Sequence, residues 1–196
     1  MLKLFLMLLC VASLANAESD IDQAVDAYNR KDYMKAYTVF KDRAVKGDAF
    51  AQTFIGWMYD NGEGVAENDV EAVRWFSMAA EQGHVRAQIF LGTRYANGNG
   101  APKDLLESAK WFQRAADQGN PFAQVTIAAM YEKGEGVRSD LVQSYKWASL
   151  AANQGNAKAR TLQAALHQTM TLAQMEEAER LISVWRPKLT SSIVDR

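Results

Sequence analysis

The sequence predicts an all-α repeat protein built from pairs of helices. Three observations carry this. Glycines 47, 83, 119 and 155 fall 36 residues apart with no insertion, and the text between them recurs, as in GDAFAQTFIGWMYDNGEGV and GNPFAQVTIAAMYEKGEGV. Each period holds two stretches whose apolar residues repeat at helical spacing. Both stretches are bracketed by helix start and stop signals.

Composition agrees. The chain has 196 residues, 48% hydrophobic and 23% charged, with a formal net charge of -1. That is enough apolar material for a sizeable core, without the signature of disorder. Near neutrality excludes a nucleic-acid-binding surface, which needs a basic excess.

Residues 1–17 read as a cleaved signal peptide. Lys3 starts it, Leu4 to Leu14 is an apolar run, and Ala15-Asn16-Ala17 offers a small-residue cut before Glu18. Cys10 follows Leu9, where a lipid-anchored start usually has a small residue. Cleavage removes the only cysteine, so no disulfide, thiolate nucleophile or cysteine ligand is left. The expected location is periplasmic or secreted.

Residues 18–46 form an atypical first hairpin, with Ala24, Ala27 and Tyr28 on one helix and Tyr33, Ala36, Phe40 and Ala44 on the next. Asp20 and Gln23 offer a capping box, and Arg30-Lys31-Asp32 a short turn. Three full repeats follow, at 47–82, 83–118 and 119–154. In each, Asp48, His84 or Asn120 takes the cap position of the first helix, and Pro121 stands at a first helical position. The buried face reads Ala51, Ile55, Gly56, Tyr59, then Ala87, Leu91, Gly92, Tyr95, then Ala123, Ile127, Ala128, Tyr131. Small residues at 56, 92 and 128 let a neighbouring helix approach.

The links GEGV, GNGA and GEGV use their first glycine to end a helix in the left-handed conformation. They lack the lysine and Ser/Thr of a phosphate-binding loop. Asn68 with Glu71, Asp104 with Glu107 and Asp140 with Gln143 open the second helices as capping boxes. Trp75, Trp111 and Trp147 then recur at an inward position, as core. Residues 155–187 supply a half-repeat and a last helix, boxed by Thr171 and Gln174 and stopped by Pro187; the charged run EEAER makes it a cap of the array. Residues 188–196 are a polar tail.

Enzymatic constellations are scarce. His84 and His167 have no metal-ligand spacing partner, and no nucleophile-elbow, dinucleotide or kinase pattern occurs. The expectation is no enzyme, no cofactor and no metal. A cell-wall-directed enzyme, hydrolysing peptidoglycan or β-lactams, is the alternative class.

The pattern A-x(3)-[IL]-G-x(2)-Y-x(2)-G-x-G-V, then A-x(2)-W-F-x(2)-A-A-x-Q-G, resembles the Sel-1-like repeat, a relative of the tetratricopeptide repeat. It spans Gly47 to Gly155 in three copies. The resemblance implies a right-handed α/α superhelical solenoid that binds another protein in its concave groove. It also implies an exported bacterial protein, acting in host interaction, in envelope assembly or as an immunity protein against a toxin. Cysteine-rich relatives have been linked to penicillin binding; this chain lacks their paired cysteines. Carried over by register, the groove-facing positions are Phe50, Thr53, Trp57, Asp60 and Asn61 in the first copy. The second supplies Arg86, Ile89, Thr93, Ala96 and Asn97, and the third Phe122, Val125, Ala129, Glu132 and Lys133. Unlike the core positions, these differ between copies, and Trp57 and Arg86 are residue types that dominate interfaces.

Overall fold

The computed structural model describes residues 20–188. The expected signal segment and most of the tail lie outside them. All regular structure among the described residues is helical: α1 (20–29), α2 (Tyr33–Val45), α3 (Ala49–Asn61), α4 (Asp69–Glu81), α5 (Val85–Asn97), α6 (Leu105–Asp117), α7 (Pro121–Lys133), α8 (Leu141–Asn153), α9 (Ala157–Thr169) and α10 (Leu172–Val184). The chain forms two compact units, one through Trp75 and one from Phe76.

In the N-terminal unit α2 packs on α3. Its core joins Ala24 and Ala27 of α1 to Phe40, Ile55, Met58 and Trp75. Lys31 turns the chain between α1 and α2 at φ 64, and the Asp32 side chain caps α2. Residue 20 is already helical, so Asp20 lies within α1 instead of capping it.

In the C-terminal unit α5 packs on α6, α6 on α7, α7 on α8 and α8 on α9, while α10 returns onto α8. The core runs through Phe112, Ile127, Tyr145, Trp147 and Leu166. Trp185, at the end of α10, meets the Trp147 ring edge-on at 6.1 Å. The Lys188 N–H then donates to the Asp117 carbonyl at 2.8 Å, strapping the chain end to α6.

The repeat signals translate into contacts. Asp48, Asn120 and Asn156 accept from the N–H groups of Ala51, Ala123 and Ala159, whereas His84 makes no side-chain cap bond. Gly62, Gly98 and Gly134 end their helices at φ 67, 81 and 74. The second link glycine has a further job. A Cβ on Gly64 would sit 2.7 Å from the Tyr33 carbonyl oxygen, and one on Gly136 would sit 1.9 Å from that of Leu105. Both links press against the start of an earlier helix, so glycine is required for room as well as for φ. Trp75, Trp111 and Trp147 are buried, and each carries a cation over a ring face: Lys41 and Arg74, Arg114, and Lys146.

Two features go beyond the local helix signals. The boxes at Asn68, Asp104 and Asp140 are half-formed. Each cap side chain accepts from Glu71, Glu107 or Gln143, but the cap's own N–H donates to the carbonyl of Tyr59, Tyr95 or Tyr131. The preceding helix takes the donor that the third residue was expected to take, and Glu71 and Glu107 pair with Arg74 and Lys110. Among the described residues a complete box forms at Thr171 alone, where no such helix competes.

The second is a glutamine ladder. Gln52, Gln88 and Gln124 are buried and donate to the carbonyls of Ala44, Ala80 and Ala116, the last turn of the helix before. In the C-terminal unit Gln118 bridges the Gly83 carbonyl and the Gln88 side chain, and Gln154 bridges Gly119 and Gln124 in the same way. The Ala44, Ala80 and Ala116 carbonyls already accept from the N–H groups of Gly47, Gly83 and Gly119, so each glutamine fills the second lone pair of a helix-end carbonyl.

Candidate protein-binding groove

The site is built from α7 and α9. On α7 the residues at 122, 125, 126, 129 and 133 share one face by helical spacing, and on α9 those at 158, 161, 162 and 165 do. Between them lies a groove of about 890 Å³. Phe122, Val125, Ala129 and Met130 form one apolar wall, with Leu162 and Ala165 opposite. Glu132, Lys133, Glu135 and Lys158 line it with both signs of charge. Thr126 and Thr161 turn their hydroxyls back to the carbonyls of Phe122 and Ala157, which leaves their methyl groups to the groove.

Phe122 is the outstanding member. Its side chain is 53% exposed, and its ring touches Phe112 only at a tilted 6.3 Å. An aromatic side chain left so open on a rigid helix is the type that anchors an interface.

The remaining expected positions fare differently. In the C-terminal unit Arg86 is exposed, Ile89 packs against the core, and the Thr93 hydroxyl donates to the Ile89 carbonyl at 2.9 Å. In the N-terminal unit Thr53 is buried at 4% exposure, with its hydroxyl on the Ala49 carbonyl, so it is not a surface residue. Phe50 is half-buried in a ring cluster, 4.8 Å from Phe54 and 6.4 Å from Phe40. Trp57 is half-buried, and its indole N–H donates to the Tyr28 hydroxyl at 2.8 Å. Tyr28 in turn donates to Glu63. Burial first, then the Glu63 carboxylate, pushes the Tyr28 phenol up to about 12. Asp60 is half-buried.

The α9 wall was absent from the sequence reading, which stopped the groove at the third copy. The signal was present: Lys158, Thr161 and Ala165 stand one period after Phe122, Val125 and Ala129. The missing glycine link after α9 hid the fact that its first helix is complete.

The Sel1 repeat matches residues 49–84, 85–120 and 121–156. A Sel1 repeat protein from Oxalobacter formigenes is 32% identical over 71% of this chain and 57% of its own, with a TM-score of 0.68. A protective antigen of uropathogenic Escherichia coli displaying an SLR fold is 29% identical over 92% of this chain and 40% of its own, with a TM-score of 0.77. Cysteine-rich protein B of Helicobacter pylori, 21% identical over 66% of this chain and 96% of its own with a TM-score of 0.54, shares the fold. The chain thus spans about half the length of the first two. No curated protein matches. Among the described residues no helix is long and apolar enough to cross a membrane. Repeats of this fold generally mediate protein–protein interaction. Helix pairs in this packing order, with three matched repeats over more than half the chain, make this protein a member of the Sel1 repeat family.

Proposed function

We propose that the chain is an exported, periplasmic adaptor that holds a protein partner in the groove between α7 and α9. The observation that carries this is Phe122, an exposed aromatic at the mouth of an apolar cleft with a mixed-charge lining. The partner is an envelope component or a delivered toxin, so the adaptor serves as an assembly factor or an immunity protein. The signal-like residues 1–17 and the description of the Escherichia coli relative as a protective antigen support export.

The test is capture from the cell envelope by a photo-crosslinker at Ala129, comparing the native surface with a Phe122→Ala, Val125→Ala double variant. Truncation of a true anchor costs ~2 kcal/mol, so the yield of crosslinked partner should fall at least tenfold. Full yield from a folded double variant would sink the assignment. Sequencing of the exported protein should begin at Glu18.

A further inference from the structure

A second recess in the C-terminal unit shares no lining residue with the groove. It measures about 1030 Å³ and lies among α6, the link before α8, α8 itself and the strap that ends at Lys188. Its donors and acceptors do not balance. Two carboxylates line it, and both are engaged. Asp117 accepts from Lys188 Nζ at 2.7 Å and from Gln113 at 2.9 Å, and Asp140 accepts the Gln143 N–H that it caps. Three cations line it, and Lys188 alone is paired. Among the described residues neither Lys146 nor Arg138 has a carboxylate within ion-pair distance. Lys146 Nζ rests instead over the Trp147 ring, 4.0 Å from its centre. Gln143 and Gln174 also line the recess.

We propose that this recess is a second ligand site, which takes a carboxylate carried on a peptide. Lys146 is half-buried, and burial holds its ammonium below the usual lysine value, with Asp117 raising it and Lys188 lowering it further. A partly desolvated ammonium gains most from an incoming anion. Along the link and the start of α8 the Gln143 N–H is taken by Asp140 and the Ser139 hydroxyl by the Glu132 carbonyl, so the anion meets chiefly the ammonium of Lys146 and the guanidinium of Arg138. It belongs to a larger molecule, because the volume far exceeds one anion and aliphatic surface adjoins the cations. Leu106 is 55% exposed there, beside Val137 and Leu141.

The test uses the whole mature chain and two blocked tripeptides, acetyl-Leu-Asp-Leu-amide and acetyl-Leu-Asn-Leu-amide, followed by NMR of the Gln143 and Gln174 side-chain amides. The aspartyl peptide should shift both signals saturably, and the asparaginyl peptide should not. Lys146→Met keeps the aliphatic stem and should weaken binding about tenfold, as should Arg138→Gln. Phe122→Ala should leave it unchanged, which separates this site from the groove. Equal shifts from both peptides, no shift from either, or unaltered affinity in a folded Lys146→Met variant would overturn the proposal. So would inorganic phosphate saturating the same signals at lower concentration than the aspartyl peptide.

Discussion

Phe50 and Phe122 occupy the same place in two repeats, two periods apart, one in each unit. Each ring meets a core phenylalanine at nearly the same geometry: Phe40–Phe50 at 6.4 Å and Phe112–Phe122 at 6.3 Å, both tilted by 56°. Yet Phe50 is half-buried and Phe122 is open. The difference lies one helical turn on. Phe54 stacks on Phe40 at 4.6 Å and leans against Phe50, and Tyr28 of α1 closes over Phe54 at 5.7 Å. Thr126, the counterpart of Phe54, turns its hydroxyl to the backbone and covers nothing. A period therefore assigns a position to a helix face, and the neighbour at the fourth residue decides whether that position sees a partner.

The largest expected effect probes what the two units share. Gly136→Ala combines φ +70 with a Cβ 1.9 Å from the Leu105 carbonyl oxygen, and should destabilise the C-terminal unit by ~3 kcal/mol or more. Gly64→Ala, at 2.7 Å from Tyr33, should cost the N-terminal unit less, and Gly155→Ala, with nothing within 4 Å, only the ~1 kcal/mol of its φ. Urea unfolding of the three variants gives the order.

Next comes the residue that separates the units. Phe54→Thr removes a ring with three aromatic neighbours and should cost ~2–3 kcal/mol, read by the same unfolding curves. Trp57→Phe deletes the hydrogen bond to Tyr28 and should cost ~1 kcal/mol without reducing partner capture, because the indole serves α1. The Tyr28 phenol is raised from 10.0 to about 12 in the folded chain. A raised value means stability that is complete below pH 10 and lost as pH climbs through about 12. Absorbance titration should find Tyr28 ionising late together with Tyr37, and replacing Tyr28 by Phe should reduce that late component by one tyrosine. The smallest effect on stability is the converse swap. Thr126→Phe should change stability by no more than ~0.5 kcal/mol, yet cover Phe122 and cut crosslinking in the groove severalfold.

Much of the fold was legible because the signals that build it are local. Caps, link glycines and the 3.6-residue stripe each depend on residues within one turn, and Asp48, Gly62 and Ile55 stand where local rules put them. What escaped depends on distant partners. The half-formed boxes could not be foreseen, because Tyr59, Tyr95 and Tyr131 compete for the cap donors from a separate helix. The buried Gln88 and Gln124 carry no local signal for burial, because their partners are the ends of other helices. Register puts Phe122, Val125 and Glu132 along the recess between α7 and α9; of the other positions it names, Phe50 lies among the rings of the N-terminal unit, Trp57 bonds Tyr28, and Thr53 is buried with its hydroxyl on its own helix.

The glutamine bridges bear on how such a chain can grow or shrink. Gln154 reads the backbone at Gly119 and the side chain at Gln124, both of which lie inside its own period. The blocks 83–118 and 119–154 therefore each carry their own length gauge. Excising or duplicating residues 119–154 as a whole preserves every such bridge in the pieces that remain, whereas adding one residue between Gln124 and Gln154 breaks two. Lineages can change the length of the array in whole blocks at little structural cost, and the surface facing a partner then varies in the same increments.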